Sequence, residues 1–214
     1  MTPAEIEAAV AGAGLEPLSS EATRRFQSYL EILLKWNARL NLTAIREPAQ
    51  IVDRHFVECI FAARQLPVGL ENLLDFGSGG GFPGLPIAIC RPEIHVTLGE
   101  SQAKKAAFLR EAVRTLNLQN VLVHNGRVET SKKQFDAVTL RAVDKMQEAC
   151  RIAIGRLVPG GSLVLFVTAE KLPGLISDIA GLNWLEPIHL AGSKQRELLI
   201  GFKQDVPRGT LPSE

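Results

Sequence analysis

The chain has 214 residues, 46% hydrophobic and 22% charged, with a net charge of +1. This composition fits one globular unit with a sizeable core and excludes a mainly disordered, collagen-like or coiled-coil chain. No apolar run approaches the ~18–20 residues that span a bilayer, and the acidic opening Met1-Thr-Pro-Ala-Glu-Ile-Glu7 lacks the basic start of a signal peptide.

The first seventy residues read as helical. From Ser20 to Leu40, apolar residues recur at Phe26, Leu30, Leu33, Trp36/Asn37 and Leu40, one stripe at helical spacing, with Glu21 suited to the first turn. A second helix is expected from Pro48 to about Gln65, with Val52, Phe56, Cys59/Ile60 and Ala63 on one face. The pattern changes after Pro67-Val-Gly69. Strands are expected at Asn72–Asp75, His95–Gly99, Val121–His124, Asp136–Leu140, Leu163–Thr168, Trp184–Leu190 and Glu197–Phe202, with helices near 83–90, 102–116, 146–157 and 171–180. Such alternation predicts a doubly wound parallel α/β sheet. The last two strands are joined by Ala191-Gly-Ser-Lys-Gln-Arg196, too short for a crossover helix, so they pair as a hairpin that makes one edge strand antiparallel. The division expected is a helical extension over 1–68, an α/β unit over 69–205 and a loose tail over 206–214.

Three cysteines, Cys59, Cys90 and Cys150, form no close pair, which points to reduced thiols in a cytoplasmic protein. His55, His95, His124 and His189 lack ligand spacing with them, so no zinc or other metal site is expected. Charge is unevenly spread. Residues 104–156 hold eleven Lys and Arg against five acids, a local excess of six positive charges. That excess fits either a phosphate-facing patch or ordinary solvated helix faces.

The segment Leu73-Leu-Asp75-Phe-Gly77-Ser-Gly79-Gly-Gly81-Phe-Pro83-Gly84 places a strand end, a glycine-rich turn and a helix start in succession. Glycines let backbone amides approach a ligand closely. Gly79 to Gly84 formally matches G-x-G-x-x-G, which equally suits a dinucleotide and an NAD-binding oxidoreductase. The acid at the strand end, in Asp75-x-Gly77-x-Gly79-x-Gly81, instead resembles the S-adenosylmethionine loop. Glu100, at the end of the second strand, is placed to accept from both ribose hydroxyls, or to cap the helix that follows. Asn125-Gly-Arg127-Val-Glu129 follows the third strand, where an adenine is cradled in such folds, and Arg141-Ala142 follows the fourth, at the mouth of the sheet. The Asn/Asp-Pro-Pro-aromatic signature of exocyclic-amine methylation is missing there, as is a Pro-Cys nucleophile for cytosine C5 chemistry.

Several segments, in order, resemble one family: Trp36-Asn37, Asn41-Leu-Thr-Ala-Ile-Arg46, Arg54-His55, Leu73–Pro86, Lys104-Lys105-x-x-Phe108-Leu109 and Arg127-Val-Glu129. The family is the bacterial 16S rRNA guanine-N7 methyltransferases, also called glucose-inhibited division protein B, and the resemblance spans roughly residues 20 to 203. It implies a class I S-adenosylmethionine-dependent (Rossmann-like) fold, a seven-stranded sheet with an antiparallel edge hairpin behind the helical extension. It also implies methylation of N7 of one guanine near the decoding centre. S-adenosyl-L-methionine is the implied cofactor, leaving S-adenosylhomocysteine. The implied contacts are Gly77, Phe82, Val128, Glu129 and Arg141 with Glu100 on the ribose, and Asp75, Ser78, Gly79, Ser101 and Arg127 adjoin them in the same motifs. The sequence departs from the family at His55-Phe-Val-Glu58-Cys59, where His-x-x-Asp-Ser is usual, and at Gly99, where a larger apolar residue is usual. The bland alternative is a non-enzymatic regulator that keeps a nucleotide fold.

Guanine N7 has a lone pair and no proton to lose, so alignment with the methyl group is the main requirement and no general base is expected. Arginine commonly reads O6 and N7 of guanine together, but here N7 must stay bare. Arg141 or Arg196 is therefore expected on O6 or phosphate, with Arg141 the candidate that orients guanine or cofactor. Arg141 as a purely structural ion-pair partner is the competing reading. Lys104, Lys105, Arg110, Arg114, Lys132, Lys133 and Arg196 are the candidate RNA contacts. The expected partner is 16S rRNA, within the small subunit or an assembly intermediate, and the expected state is a monomer without membrane attachment.

Overall fold

The computed structural model describes residues 1–130, 132–143, 145–193 and 195–204; the tail expected over 206–214 lies outside them. Helix α1 (Pro3–Gly12) was not separately expected, although Thr2 and Glu5 form a reciprocal capping box around Pro3. Helix α2 (Ser20–Leu40) is capped by the Ser19 hydroxyl, which accepts from the Ala22 amide at 3.1 Å. It buries Phe26, Leu30, Leu33 and Asn37, the stripe visible in the sequence, together with Tyr29. The expected helix over 48–65 is helical throughout but not uniform. Its first turn is α3 (Pro48–Ile51), its middle a π-wound turn over Val52–Val57, and its end α4 (Glu58–Gln65). A widened turn of this kind is uncommon and concentrates at functional sites. Here it carries Arg54 and His55.

The sheet contains β1 (Asn72–Phe76), β2 (His95–Glu100), β3 (Val121–Asn125), β4 (Phe135–Arg141), β5 (Leu157–Thr168), β6 (Leu182–Trp184), β7 (Ile188–His189) and β8 (Arg196–Lys203). Between them run α5 (Gly84–Cys90), α6 (Ala103–Thr115), α7 (Met146–Gly155) and α8 (Leu172–Asp178). The strand order is β3-β2-β1-β4-β5-β8-β6, with β7 also pairing β8. Two details differ from the sequence expectation. The single strand expected over 184–190 is two short pieces separated around Pro187, which cannot donate to a ladder. The antiparallel strand is also not the edge: β8 pairs antiparallel with β5 on one side and with β6 and β7 on the other, so β6 runs parallel to β5 at the rim. Leu198, Leu199 and Ile200 are buried, and an inner position covers them better than an edge.

Alternate residues along the strands feed two cores. Leu73, Val96, Leu98, Ala137 and Val164 join a cluster with Phe26, Phe56, Ile60 and Phe108 from the helices on one face. Leu74, Val138, Leu140, Leu163 and Leu165 face Cys150 of α7 and Leu175 of α8 on the other. Period-two alternation thus makes both faces apolar, as a doubly covered sheet requires. The N-terminal helices share the first cluster with the sheet rather than forming their own.

A sheet that shares one core with the N-terminal helices and the other with α7 and α8 predicts cooperative unfolding. Trp36 lies edge-on to Phe108 at 5.9 Å, joining α2 to α6, and Trp184 sits in β6 over Gly201. These are the chain's two tryptophans. Urea unfolding followed by fluorescence in Trp36→Phe and Trp184→Phe is expected to give each variant one transition, with the same midpoint as its own circular-dichroism transition. A fluorescence midpoint separated from the dichroism midpoint in either variant contradicts this coupling of the two cores through the sheet.

Candidate functional site

Two adjoining clefts open over the carboxyl ends of the strands, the side on which open α/β sheets bind ligands. The narrower, about 440 Å³, lies over β1, β2 and β3 and is lined by Phe76, Gly77, Gly99, Ser101, Gly126–Glu129 and the start of α7. The wider, about 790 Å³, lies over β4 and β5 and is lined by Arg141, Phe166, Thr168 and Arg196 among others. Lys145 and Glu148 line both, and their charged ends lie 3.5 Å apart on the divide. Both volumes lie in the ordinary range for ligand pockets.

The glycine turn is held from below and behind. Gly77, Gly79 and Gly81 adopt φ of 74°, 53° and 90°, a region costly for residues with a Cβ. The amides of Gly77 and Ser78 both donate to the Gly99 carbonyl, at 2.9 and 3.0 Å. Asp75 is buried beneath the turn, where its Oδ1 accepts from the Thr139 hydroxyl at 2.9 Å and its Oδ2 from the Gly84 amide at 3.2 Å. Burial raises its pKa to about 6 against these hydrogen bonds, Thr139 foremost. Glu100 accepts from the Gly79 amide at 3.0 Å through Oε2 and from the Gln102 amide at 2.8 Å through Oε1. Tyr29, from α2, donates to the Gly80 carbonyl at 2.5 Å, with its ring stacked on Phe56. At Gly99 a Cβ would lie 2.6 Å from a Val128 methyl. The departure from the family pattern there therefore makes room for Val128 at the cleft floor.

A polar network ties the helical extension to the wider cleft. Asn37 accepts from the Thr43 amide at 2.9 Å and donates to the Ile45 carbonyl at 3.3 Å, which fixes the loop after α2. Thr43 Oγ1 lies 2.8 Å from His55 Nε2, and His55 Nδ1 lies 2.9 Å from Arg141 Nη2. Nδ1 also lies 3.1 Å from the Arg54 carbonyl, so it accepts from Arg141 in one tautomer and donates to that carbonyl in the other. Arg141 further donates to the Arg54 carbonyl at 2.8 Å, Glu58 Oε2 at 3.0 Å and Cys59 Sγ at 2.9 Å. Arg196 completes the set, 2.5 Å from Glu58 Oε1. The Glu58 side chain is 1% exposed and those of Arg141 and Arg196 are 9% and 22%. Burial raises the pKa of Glu58, while Arg141, Arg196 and Arg54 oppose the rise. Cys59 is pushed up to about 12 by burial, so it remains a thiol.

The expected site residues divide accordingly. Gly77, Ser101, Arg127, Val128 and Glu129 line the narrower cleft. Asp75, Ser78 and Phe82 are buried and turned inward: Ser78 donates to the Asp75 carbonyl, and the Phe82 ring packs between His55 and Tyr29. These three shape the turn from behind. Gly79 and Glu100 are bonded to each other at its rim, and Arg141 belongs to the wider cleft. Among the expected RNA contacts, only Arg196 lines that cleft. Lys104 and Lys105 stand at the start of α6, beside the sheet's carboxyl ends. Arg110 and Arg114 lie roughly 9 and 15 Å further along its axis, in a separate groove beside β3. Lys132 is exposed in the loop before β4, and Lys133 lies over the Phe135 ring at 5.1 Å. Sequence reasoning missed Lys145, Arg151, Lys171 and Phe166 of the wider cleft, and the joint role of His55, Glu58 and Cys59. The spacing of His55 and Glu58 on one helical segment was the available signal. Among the described residues, no three His, Cys, Asp or Glu side chains are gathered as metal ligands, and no helix is long and apolar enough to cross a membrane.

Comparison with known proteins agrees with this geometry. Residues 22–173 match the family model GidB, described as rRNA small subunit methyltransferase G. A protein of Chloroflexus aggregans named ribosomal RNA small subunit methyltransferase G is 36% identical over 197 residues, covering 86% of this chain and 83% of the relative. One of the same name from Neisseria meningitidis is 38% identical over 157 residues, covering 73% and 75%. Among solved structures, an O-methyltransferase from Bacillus cereus in complex with SAH aligns with a TM-score of 0.58 at 20% identity, over 82% of this chain and 91% of its own. The cofactor-bound Rv0187 from MTB aligns at 0.61 with 17% identity, over 83% and 90%. These structures fix the fold, and nothing in the comparisons favours an oxidoreductase or a non-enzymatic regulator.

Burial, and next the charge of Arg141, push the pKa of His55 down to about 3. Its unfolded value lies near 6.5, so the stability it contributes is present above pH 6.5 and is lost progressively as pH falls toward 3. The stability gap between wild type and His55→Gln is therefore expected to narrow steadily from pH 7 to pH 4 in urea titrations. A gap independent of pH contradicts a neutral, network-held His55.

Proposed function

The chain belongs to the rRNA small subunit methyltransferase G family and is an S-adenosylmethionine-dependent methyltransferase, and from that premise we propose that it methylates N7 of one guanine in 16S rRNA. The single observation that carries this reading is the pair of adjoining clefts sharing Lys145 and Glu148. A donor in one and an acceptor in the other meet across that divide.

The narrower cleft suits the cofactor. Gly77 and Gly99 line its floor without side chains of their own, and Val128, Ser101 and Glu129 offer apolar, hydroxyl and carboxylate surfaces along it. When bound there, S-adenosylmethionine supplies a methyl group activated by its sulfonium. Glu100 keeps spare lone pairs for ribose hydroxyls while bracing Gly79. The guanine is assigned to the wider cleft, beside Arg141 and Phe166. Five cations line that cleft, Arg141, Lys145, Arg151, Lys171 and Arg196, against Glu148 and Glu170. This balance favours an RNA backbone.

The N7 specificity rests on the family resemblance and on a chemical compatibility. The terminal nitrogens of Arg141 already serve Cys59, Arg54, His55 and Glu58, so its two-pronged end is not free to capture O6 and N7 together. That arrangement is compatible with leaving the nucleophilic lone pair bare. With no proton to remove, the chain's work is to orient the base and exclude water. We assign residues 1–68 to an extension that holds this cleft and 69–205 to the catalytic unit. A cytoplasmic monomer acting on the small subunit or its assembly intermediate completes the reading.

Two results are expected. Labelled methyl groups from S-adenosylmethionine should appear as 7-methylguanosine in unmodified small subunits or naked 16S rRNA, at a rate that falls from low to moderate salt. Label in another nucleoside, or none despite cofactor binding, contradicts the assignment. In Arg141→Lys, turnover should fall roughly 10- to 100-fold while the Kd for S-adenosylhomocysteine is unchanged. Unchanged turnover removes Arg141 from the substrate cleft's chemistry.

A further inference from the structure

Methyl transfer to a ring nitrogen moves charge as well as carbon. As the N7 lone pair takes the methyl group, the carbon–sulfur bonding pair stays on sulfur, and no proton leaves. The sulfur becomes neutral and the purine acquires one positive charge. That charge arises in the wider cleft, beside two guanidiniums. A cation forming next to uncompensated cations is disfavoured, the more so where water is excluded.

Among the described residues, one buried carboxylate pairs with both arginines. Glu58, 1% exposed on α4, places Oε2 3.0 Å from Arg141 Nη2 and Oε1 2.5 Å from Arg196 Nη2. Glu170 is exposed, and Glu148 is engaged with Lys145 on the divide. The groups packed around Glu58 are Arg54, His55, Cys59, Arg141 and Arg196. His55 is neutral and Cys59 remains a thiol, so neither adds charge. Arg54 offers its carbonyl to Arg141, and its guanidinium is a further positive charge acting on Glu58 from outside the hydrogen-bonded cluster. The cluster Arg141–Glu58–Arg196 therefore carries one net positive charge rather than two.

We propose that Glu58 is a charge-balancing residue for methyl transfer, its carboxylate offsetting one of the two cleft arginines so that the purine can become cationic between them. This rests on the assignment of guanine to the wider cleft. Glu58 does not touch the substrate; it acts through Arg141 and Arg196. The glutamate here, where the family resemblance makes aspartate usual, keeps the charge and reaches both arginines.

The proposal separates cleanly from a purely structural role because charge can be restored without restoring geometry. With Glu58→Gln the cluster carries two positive charges, with Arg196→Gln none, and with both together one, as in the wild type. Single-turnover methyl transfer is measured at saturating S-adenosylmethionine and rRNA, with the Kd for S-adenosylhomocysteine and the melting temperature recorded for each variant. A unit charge about 6 Å away at an effective dielectric constant of ~20 corresponds to a rate loss of roughly 100-fold. Glu58→Gln should therefore slow the step by about that factor, with cofactor Kd unchanged. The double variant should recover to within about tenfold of the wild type, although it restores none of the lost hydrogen bonds. A double variant as slow as Glu58→Gln, or slower, overturns the proposal. If Glu58→Gln does not fold, the comparison of the double variant with Arg196→Gln decides: the double variant carries one more positive charge, so a deficit of about 100-fold supports charge balance, and rates within about tenfold overturn it. Failure of all variants and wild type alike to label guanine overturns the assignment of the acceptor instead, so the two claims fail separately.

Discussion

One buried carboxylate holds the two halves of this molecule in register. Glu58 comes from the helical extension, while Arg141 ends β4 and Arg196 begins β8. Removing one partner from such a buried set costs about 3–5 kcal/mol, because a charge is stranded without water or counter-ion. The arrangement is therefore a constraint on everything around it. Helix α4 must approach the carboxyl ends of the central strands closely enough for both guanidiniums to be reached. The π-wound turn before α4 delivers the Arg54 carbonyl and His55 to the same guanidinium. From there the constraint runs outward through Thr43 and Asn37 to the loop after α2. The N-terminal helices thus back the two arginines that line the wider cleft, and the aromatic packing of Phe26, Tyr29, Phe56 and Phe82 fills the space behind them.

The glycine turn beside the narrower cleft follows a different logic, in which acids brace backbone. Asp75 spends its carboxylate on Thr139 and Gly84, and Glu100 spends part of its own on Gly79 and Gln102. Each fixes a glycine-rich turn whose left-handed residues have little intrinsic preference for one conformation. The amides of Gly77, Ser78, Gly79 and Gly84 are spent within the fold, so the turn is fixed in shape before any ligand arrives. That preorganisation is what the transfer of an already activated methyl group requires of the protein.

Much of this was legible in the sequence. Alternating strands and helices gave the sheet, and Asp75 through Gly84 marked the turn, because local spacing encodes local structure. The place of β8 inside the sheet was not legible, since a hairpin's loop length fixes pairing but not which partner lies beyond. The inward direction of Asp75, Ser78 and Phe82 was also hidden: residues of a ligand loop look alike in sequence whether they face the ligand or support it. Glu58 and Cys59 stood out only as departures from the family pattern. Their meaning depends on Arg141 and Arg196, more than eighty and more than a hundred residues away, and such pairings follow from tertiary packing alone.

The central claim is a division of labour between two clefts, cofactor over β1 to β3 and acceptor over β4 and β5. Hydrogen exchange read by mass spectrometry, with and without S-adenosylhomocysteine, tests it most directly. The account predicts that the ligand slows exchange at Gly77–Gly79, Glu100–Gln102 and Gly126–Glu129, while peptides lining the wider cleft around Thr168–Leu175 are unaffected. Protection confined to the wider cleft, with none at the glycine turn, would contradict it.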